Sequence, residues 1–133
     1  MAEVVQSARK GKNFLLTAWV FLPDHWHAII FPRYPLTISQ MMEHIKVQST
    51  LTINARRGAT GQLWQARFFD RALRTVKEYH DSVRYIQSNP VKRGLAAGPE
   101  DWKWSSLSPC GSGSSAVLPV DLISLPADLD ARL

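Results

Sequence analysis

The chain has 133 residues, of which 45% are hydrophobic, and this suits one compact globular domain. No apolar stretch approaches the roughly 20 residues of a membrane span, and "MAEVVQSARKGK" lacks the layout of a secretory signal, so a cytoplasmic protein is expected. A single cysteine, Cys110, excludes an intrachain disulfide and a cysteine-built zinc site, leaving His, carboxylate or amide groups to hold any metal. The formal net charge is +5 with a pI of about 9.7, concentrated between Arg56 and Arg93, where nine Lys and Arg face only Asp70, Glu78 and Asp81. From Gly94 onward two basic residues meet five acidic ones, giving a basic body and an acidic tail. Such a body suits a polyanion, although charge alone describes an ordinary solvated surface equally well.

In chain order, "NFLLTAWVFL", "PD" and "HWHAIIF" predict a β-hairpin of two β-branched and aromatic runs joined by a short turn. Strand alternation places His25, His27, Ile29 and Phe31 on one side and Trp26, Ala28 and Ile30 on the other. "TISQ" offers Thr37 as N-cap and Gln40 as its capping-box partner, ahead of a helix with Ile38, Met41, Met42, Ile45 and Ile53 at helical spacing. "RRGATG" reads as a turn, and "QLWQARFFDRAL" as one strand or a bent pair. "TVKE" repeats the capping pattern, with Thr75 opening a helix from about Val76 to Ser88 that the Asn89-Pro90 pair ends. Its apolar stripe is Val76, Tyr79, Val83 and Ile86, with Tyr85 beside it. "PCGSGSS", Pro109 to Ser115, reads as a flexible linker before a loosely docked tail, so the expected domain is 1–108 with linker and tail at 109–133.

Two imidazoles on one strand face can supply half of a divalent ion's coordination shell. The same pair serves equally as two hydrogen-bonded strand histidines. Asn89 offers an amide oxygen suited to Mg²⁺ or Mn²⁺, and Tyr85, four residues earlier, shares its helix face. A phenol beside a metal is the arrangement of an activated nucleophile for a phosphodiester, since free phenols ordinarily titrate near ~10. Tyr85 is also compatible with a partly buried helix tyrosine.

The ordered motifs "PDHWHAII", "LWQARFFDRAL" and "YIQSNPVKRGL" followed by "PEDWKWSSL" resemble the single-tyrosine HUH transposases, in particular the REP-associated tyrosine transposases of bacteria. The resemblance covers Phe14 to Leu107. It implies an α+β fold, a ferredoxin-like antiparallel sheet flanked by helices. It also implies Mg²⁺ or Mn²⁺ at His25 and His27, with Asn89 as the amide ligand, and Tyr85 as the nucleophile. The implied reaction cuts single-stranded DNA at hairpin-flanked (REP-like) sites through a 5′-phosphotyrosine and rejoins it elsewhere. Arg67, Arg71, Arg74, Lys92 and Arg93 become candidate phosphate contacts, and Trp64, Phe68, Phe69, Trp102 and Trp104 either base-stacking platforms or core. His44 and His80 match no ligand position of the family. Members usually carry a strand and much of a helix before the "FLLTAWVFLPDH" segment, whereas thirteen residues precede Phe14 here, so a sheet lacking its N-terminal strand, with an unpaired edge, is expected. A monomer and a homodimer are both compatible with the sequence. Against the nicking enzyme stands a second reading, a hairpin-DNA-binding module without catalysis. A small-phosphoester hydrolase is disfavoured because no carboxylate cluster accompanies the histidines.

Overall fold

The β-hairpin expected around His25 is present in the computed structural model, which describes residues 1–12, 14–64, 70–107 and 118–121. Strand β1 (Phe14–Phe21) pairs with β2 (Trp26–Pro32) in a two-stranded sheet, and the Leu22 N–H donates to the His25 carbonyl at 2.8 Å across Pro23 and Asp24. Among the described residues, the α-helices α1 (Ala2–Lys12), α2 (Ile38–Arg57) and α3 (Val76–Lys92) join the sheet in an α+β architecture. Among the described residues the sheet has two strands, and a helix rather than a strand precedes β1. The strand expected in "QLWQARFFDRAL" lies at its centre, 65–69, outside the described residues.

The chain divides into two compact units, the first comprising Met1–Leu15 and Phe31–Arg71. Here α1 packs against α2, burying Ala2, Val4, Val5 and Ala8 from one helix and Met41, Met42 and Ile45 from the other. The α2 N-terminus is closed by the capping box expected from "TISQ": Thr37 Oγ1 accepts from Gln40 N at 3.1 Å, and Gln40 Oε1 accepts from Thr37 N at 3.0 Å. Gly58, at φ 64°, ends the helix in the left-handed region that glycine tolerates without steric cost. Arg56 donates to Glu3 at 2.8 Å, and the Trp64 indole N–H to the buried Ser49 hydroxyl at 2.7 Å. Ile53 is half-buried rather than buried.

The second unit, Leu16–Ile30 with Ala72–Leu133, holds the candidate site. Its core gathers Ala18, Val20 and Leu22 of β1, Ile29 of β2 and Ile86 of α3, with Leu73, Tyr79, Val83 and Trp102 packed against them. The hairpin face carrying the alternate residues Ile29 and His27 is therefore the face on α3. Thr75 caps α3, its hydroxyl accepting from Glu78 N at 3.1 Å. Glu78 reaches back to Arg74 N, one residue before the cap, at 2.7 Å.

Contrary to expectation, Asn89-Pro90 does not end α3, which continues to Lys92. A proline in the last turn sacrifices one backbone hydrogen bond, and both Asn89 and Pro90 are buried, which offsets that loss. The true stop is Gly94, at φ 72°: its N–H donates to Val91 O at 3.0 Å, and Leu95 N–H to Pro90 O at 2.8 Å, the paired bonds of a Schellman motif. Asn89 therefore keeps helical geometry and its alignment with Tyr85.

The edge of β1 within this unit is also hydrogen-bonded. Phe21 N–H donates to Trp104 O, and Ser106 N–H to Trp19 O, at 2.8 and 2.9 Å, around an antiparallel bridge between Val20 and Ser105. Asp121 N–H donates to Leu16 O at 2.7 Å, while its carboxylate accepts from Leu16 N at 2.9 Å. The indole N–H of the buried Trp19 donates to Leu118 O at 3.0 Å, with Leu118 itself fully buried. Within the expected linker and tail, Leu118–Asp121 is thus fixed to β1, and the remainder of 109–133 lies outside the described residues.

Candidate functional site

His25 and His27 project from the same side of the hairpin, as alternation requires, with ring centroids 4.9 Å apart and planes at 89°. Facing them, α3 presents Tyr85 and Asn89 one turn apart. The Tyr85 ring lies 5.4 Å from the His27 ring at 80°, so phenol and imidazole meet edge to face. Tyr85 is 51% exposed, whereas Asn89 is 6% exposed.

Two polar atoms at this junction have no hydrogen-bond partner: His27 Nε2 and Asn89 Oδ1, both buried; Thr17 Oγ1 is the other such atom among the described side chains. Buried polar atoms are nearly always satisfied, so an unpaired imidazole nitrogen and an unpaired amide oxygen at one junction are the groups a bound ion would engage, the imidazole in the tautomer that leaves Nε2 its lone pair. Burial pushes the His27 pKa below its usual value, and the charges of His25 and Arg93 act in the same direction. That keeps the imidazole neutral, the form in which it donates a lone pair. No three His, Cys, Asp or Glu side chains converge among the described residues. An all-acidic or His-carboxylate centre is therefore not formed by them. The donor set here is two imidazoles and an amide, which fits an ion that accepts mixed nitrogen and oxygen ligands.

His25 is held by a group that the motif reading did not single out. Its Nδ1 lies 2.6 Å from Asp24 Oδ1, and because a carboxylate only accepts, Nδ1 carries the hydrogen, so that in the neutral ring the lone pair falls to Nε2. This carboxylate-histidine pairing is the usual outer-shell device for fixing a ligand imidazole's tautomer. The hydrogen bond from His25 holds the Asp24 carboxyl below the usual carboxylate range, outweighing desolvation, with Arg93 adding to the effect. The sequence signal was available, since Asp24 directly precedes His25 in the turn.

Of the candidate phosphate contacts, Lys92 and Arg93 stand at this site. Lys92 Nζ sits 5.8 Å from the centre of the Tyr85 ring, and Arg93 lies against His25 and Asp24. Arg74 is exposed before α3, Arg71 is exposed in the other unit, and Arg67 lies outside the described residues. Among the aromatics, Trp102 is a core group whose indole donates to Phe21 O at 2.8 Å, and Trp64 is tied to Ser49. Trp104 is 40% exposed, with Lys103 Nζ 4.8 Å from its ring centre, and Phe68 and Phe69 lie outside the described residues. His80 is exposed and packs against Tyr79, and His44 lies in the first unit. No helix among the described residues is long and apolar enough to cross a membrane.

A His-hydrophobic-His strand facing a helical tyrosine and amide, on an α+β scaffold, defines the class of single-tyrosine HUH proteins. The profile of the family described as "Transposase IS200 like" matches residues 1–89, and the chain belongs to that family, among its REP-associated tyrosine transposases. It is 32% identical over 107 residues to the REP-associated tyrosine transposase of Escherichia coli (strain K12), a match spanning 80% of this chain and 62% of that one. To the putative REP-associated tyrosine transposase of Haemophilus influenzae (strain ATCC 51907 / DSM 11121 / KW20 / Rd) it is 28% identical over 103 residues, 70% of this chain and 58% of the relative. The chain thus spans about three fifths of the length of these curated relatives. Among solved structures it is similar to a REP-associated tyrosine transposase bound to a REP hairpin, with a TM-score of 0.68 and 30% identity over 86% of this chain and 72% of that one.

Proposed function

We propose that the protein nicks single-stranded DNA beside hairpin elements and transfers the cut strand, with Tyr85 as nucleophile and a Mg²⁺ or Mn²⁺ ion held by His25, His27 and Asn89. The observation that carries this reading is the pair of partnerless buried donors, His27 Nε2 and Asn89 Oδ1, beside the solvent-accessible Tyr85 phenol. Membership of the IS200-like transposase family and similarity to a hairpin-bound relative support the substrate class.

In this scheme the ion, when bound, polarises the scissile phosphate and stabilises the charge that develops on it. The residues do the rest. Tyr85 Oη forms a bond to phosphorus, the 3′ oxygen of the preceding nucleotide leaves and takes up a proton, and the phenol proton passes to solvent at the open face of the ring. Attack by another 3′-hydroxyl on the phosphotyrosine restores the phenol and joins the new strand. Asp24 fixes a hydrogen on His25 Nδ1, and the apolar cluster that Ile86 shares with Ala18, Val20, Leu22 and Ile29 holds α3 where Tyr85 meets His27. The excess of Lys and Arg in the middle of the chain supplies attraction for the backbone.

The test is incubation with end-labelled single-stranded hairpin DNA in Mn²⁺ or EDTA, followed by a denaturing gel. A Mn²⁺-dependent protein-DNA band, absent in Tyr85→Phe, is expected. Hairpin binding by mobility shift without any such band would identify a non-catalytic hairpin-binding protein instead.

A further inference from the structure

The C-terminal end of α3 carries two consecutive basic residues, Lys92 and Arg93, whose surroundings differ. Arg93 is engaged by the hairpin turn. Its Nη1 is 3.2 Å from His25 Nε2 and 3.3 Å from Nδ1, so the guanidinium lies over the imidazole face, and its Nη2 is 3.7 Å from Asp24 Oδ2. Lys92 is exposed, and its Nζ stands 5.8 Å from the centre of the Tyr85 ring. Seven residues make two helical turns, so Lys92 returns to the stripe that carries Tyr85 and Asn89, whereas Arg93 falls about 100° further round. Lys77 and Arg84 of the same helix share Asp81, at 3.2 and 3.8 Å, but no carboxylate among the described residues is within ion-pair distance of Lys92. The Tyr85 hydroxyl likewise has no hydrogen-bond partner among the described residues. A separation of 5.8 Å is close to the limit of about 6 Å for attraction between a cation and an aromatic ring, so the ring alone holds the ammonium weakly.

Resting on the nicking reading above, we propose that Lys92 is a catalytic residue of strand cutting, its ammonium donating to a non-bridging oxygen of the phosphate that Tyr85 attacks. As the bond from Tyr85 Oη to phosphorus forms and the bond to the 3′ oxygen breaks, negative charge builds on the non-bridging oxygens. An ammonium stationed beside the attacking ring meets that charge where it grows. Lys92 keeps its own proton throughout: the phenol proton goes to solvent, and the leaving 3′ oxygen takes one up. The contact is stronger in the transition state than in the bound strand, so it raises the cutting rate and not merely DNA affinity. Lysine suits this role as a compact charge on a flexible four-carbon stem that can follow the phosphate. Arg93, turned toward His25 and Asp24, is not placed for it.

The experiment measures, in Mn²⁺, the single-turnover rate of covalent adduct formation on an end-labelled hairpin oligonucleotide with single-stranded flanks, at saturating protein. Mobility shift gives the dissociation constant for the same DNA. The unaltered protein is compared with Lys92→Met, Lys92→Gln, Lys92→Arg and Lys77→Met. Lys92→Met and Lys92→Gln are expected to cut about 100-fold more slowly, the loss typical of one transition-state donor, with affinity weakened only a few-fold. Two uncharged replacements keep a folding defect peculiar to one of them from deciding the outcome. Lys92→Arg, which retains the charge, is expected to recover most of the rate. Lys77→Met removes one charge from the same helix and is expected to cut at close to the unaltered rate. An unchanged rate at saturation, with only affinity lost, would make Lys92 an ordinary backbone contact and overturn the proposal. Equal rate losses in Lys92→Met and Lys77→Met would overturn it too. Absence of any adduct from the unaltered protein, despite hairpin binding, would remove the nicking reading and the proposal with it; where the unaltered protein cuts, the Lys92 variants test the proposal alone.

Discussion

The Tyr85 ring stands edge-on to the His27 imidazole, centroids 5.4 Å apart, and one turn further along α3 the Asn89 amide oxygen lies buried without a partner. Tyr85 and Asn89 both ride on α3, whose Ile86 is buried in one apolar cluster with Ala18, Val20 and Leu22 of β1 and Ile29 of β2. On the proposed reading, anything that shifts α3 moves both the attacking oxygen and the third ligand.

Asn89→Asp tests the amide's role. The variant places a carboxylate in a buried spot that offers its oxygen no donor, and the metal-free protein is expected to lose about 1–3 kcal/mol of stability or more. Mn²⁺ should restore that stability, with a larger melting-temperature increase than in the unaltered protein. Thermal unfolding with and without Mn²⁺ reads both effects, and destabilisation that Mn²⁺ leaves untouched would place the amide outside the ligand set.

The depressed pKa of His27 gives a pH signature. The unfolded chain takes up this proton near the ordinary histidine value of 6.5, before the folded protein does. Stability of the metal-free protein from His27 is therefore fully present above 6.5, falls as pH drops through the interval below it, and levels off under the folded-state pKa. Urea unfolding over about three pH units centred on that value should show a decline that His27→Gln reduces by one proton's worth of slope. An unchanged slope in the variant would rule out burial of a neutral His27.

Asp24→Ala removes the acceptor from His25 Nδ1–H, freeing the ring to rotate and to exchange tautomers. Loss of an outer-shell partner of this kind weakens metal affinity by roughly 10–100-fold. Calorimetry with Mn²⁺ should find a drop of that order while the melting temperature stays nearly constant, because Asp24 is exposed. Undiminished affinity would show that the carboxylate plays no part in orienting the ligand.

Leu118 anchors the segment that seals β1. Its side chain is fully buried, and its carbonyl takes the Trp19 indole hydrogen bond. Leu118→Ala is expected to cost about 2–5 kcal/mol, as large-to-small core substitutions do. Denaturant unfolding measures this; a change under ~0.5 kcal/mol, the range of surface substitutions, would mean the contact does not persist in solution.

Much of the site was legible because its rules are local. Alternation along a strand put His25 and His27 on one face, the spacing of Tyr85 and Asn89 put them on one helix face, and Thr37 and Thr75 marked the starts of α2 and α3 through the hydroxyls that cap them. The α1 helix was not legible. It begins at Ala2 with no capping side chain before it, and Val4, Val5 and Ala8 form a meaningful stripe only once α2 covers them. Local rules also misjudged Asn89-Pro90, because the burial that lets α3 continue to Lys92 comes from outside the helix. The same holds for the Asp24-His25-Arg93 cluster and for the docking of Leu118–Asp121 on β1. Propensity, alternation and capping act over a few residues and can be read from them, whereas contacts between residues tens of positions apart form only where the folded chain makes burial and hydrogen bonding outweigh the entropy of bringing them together.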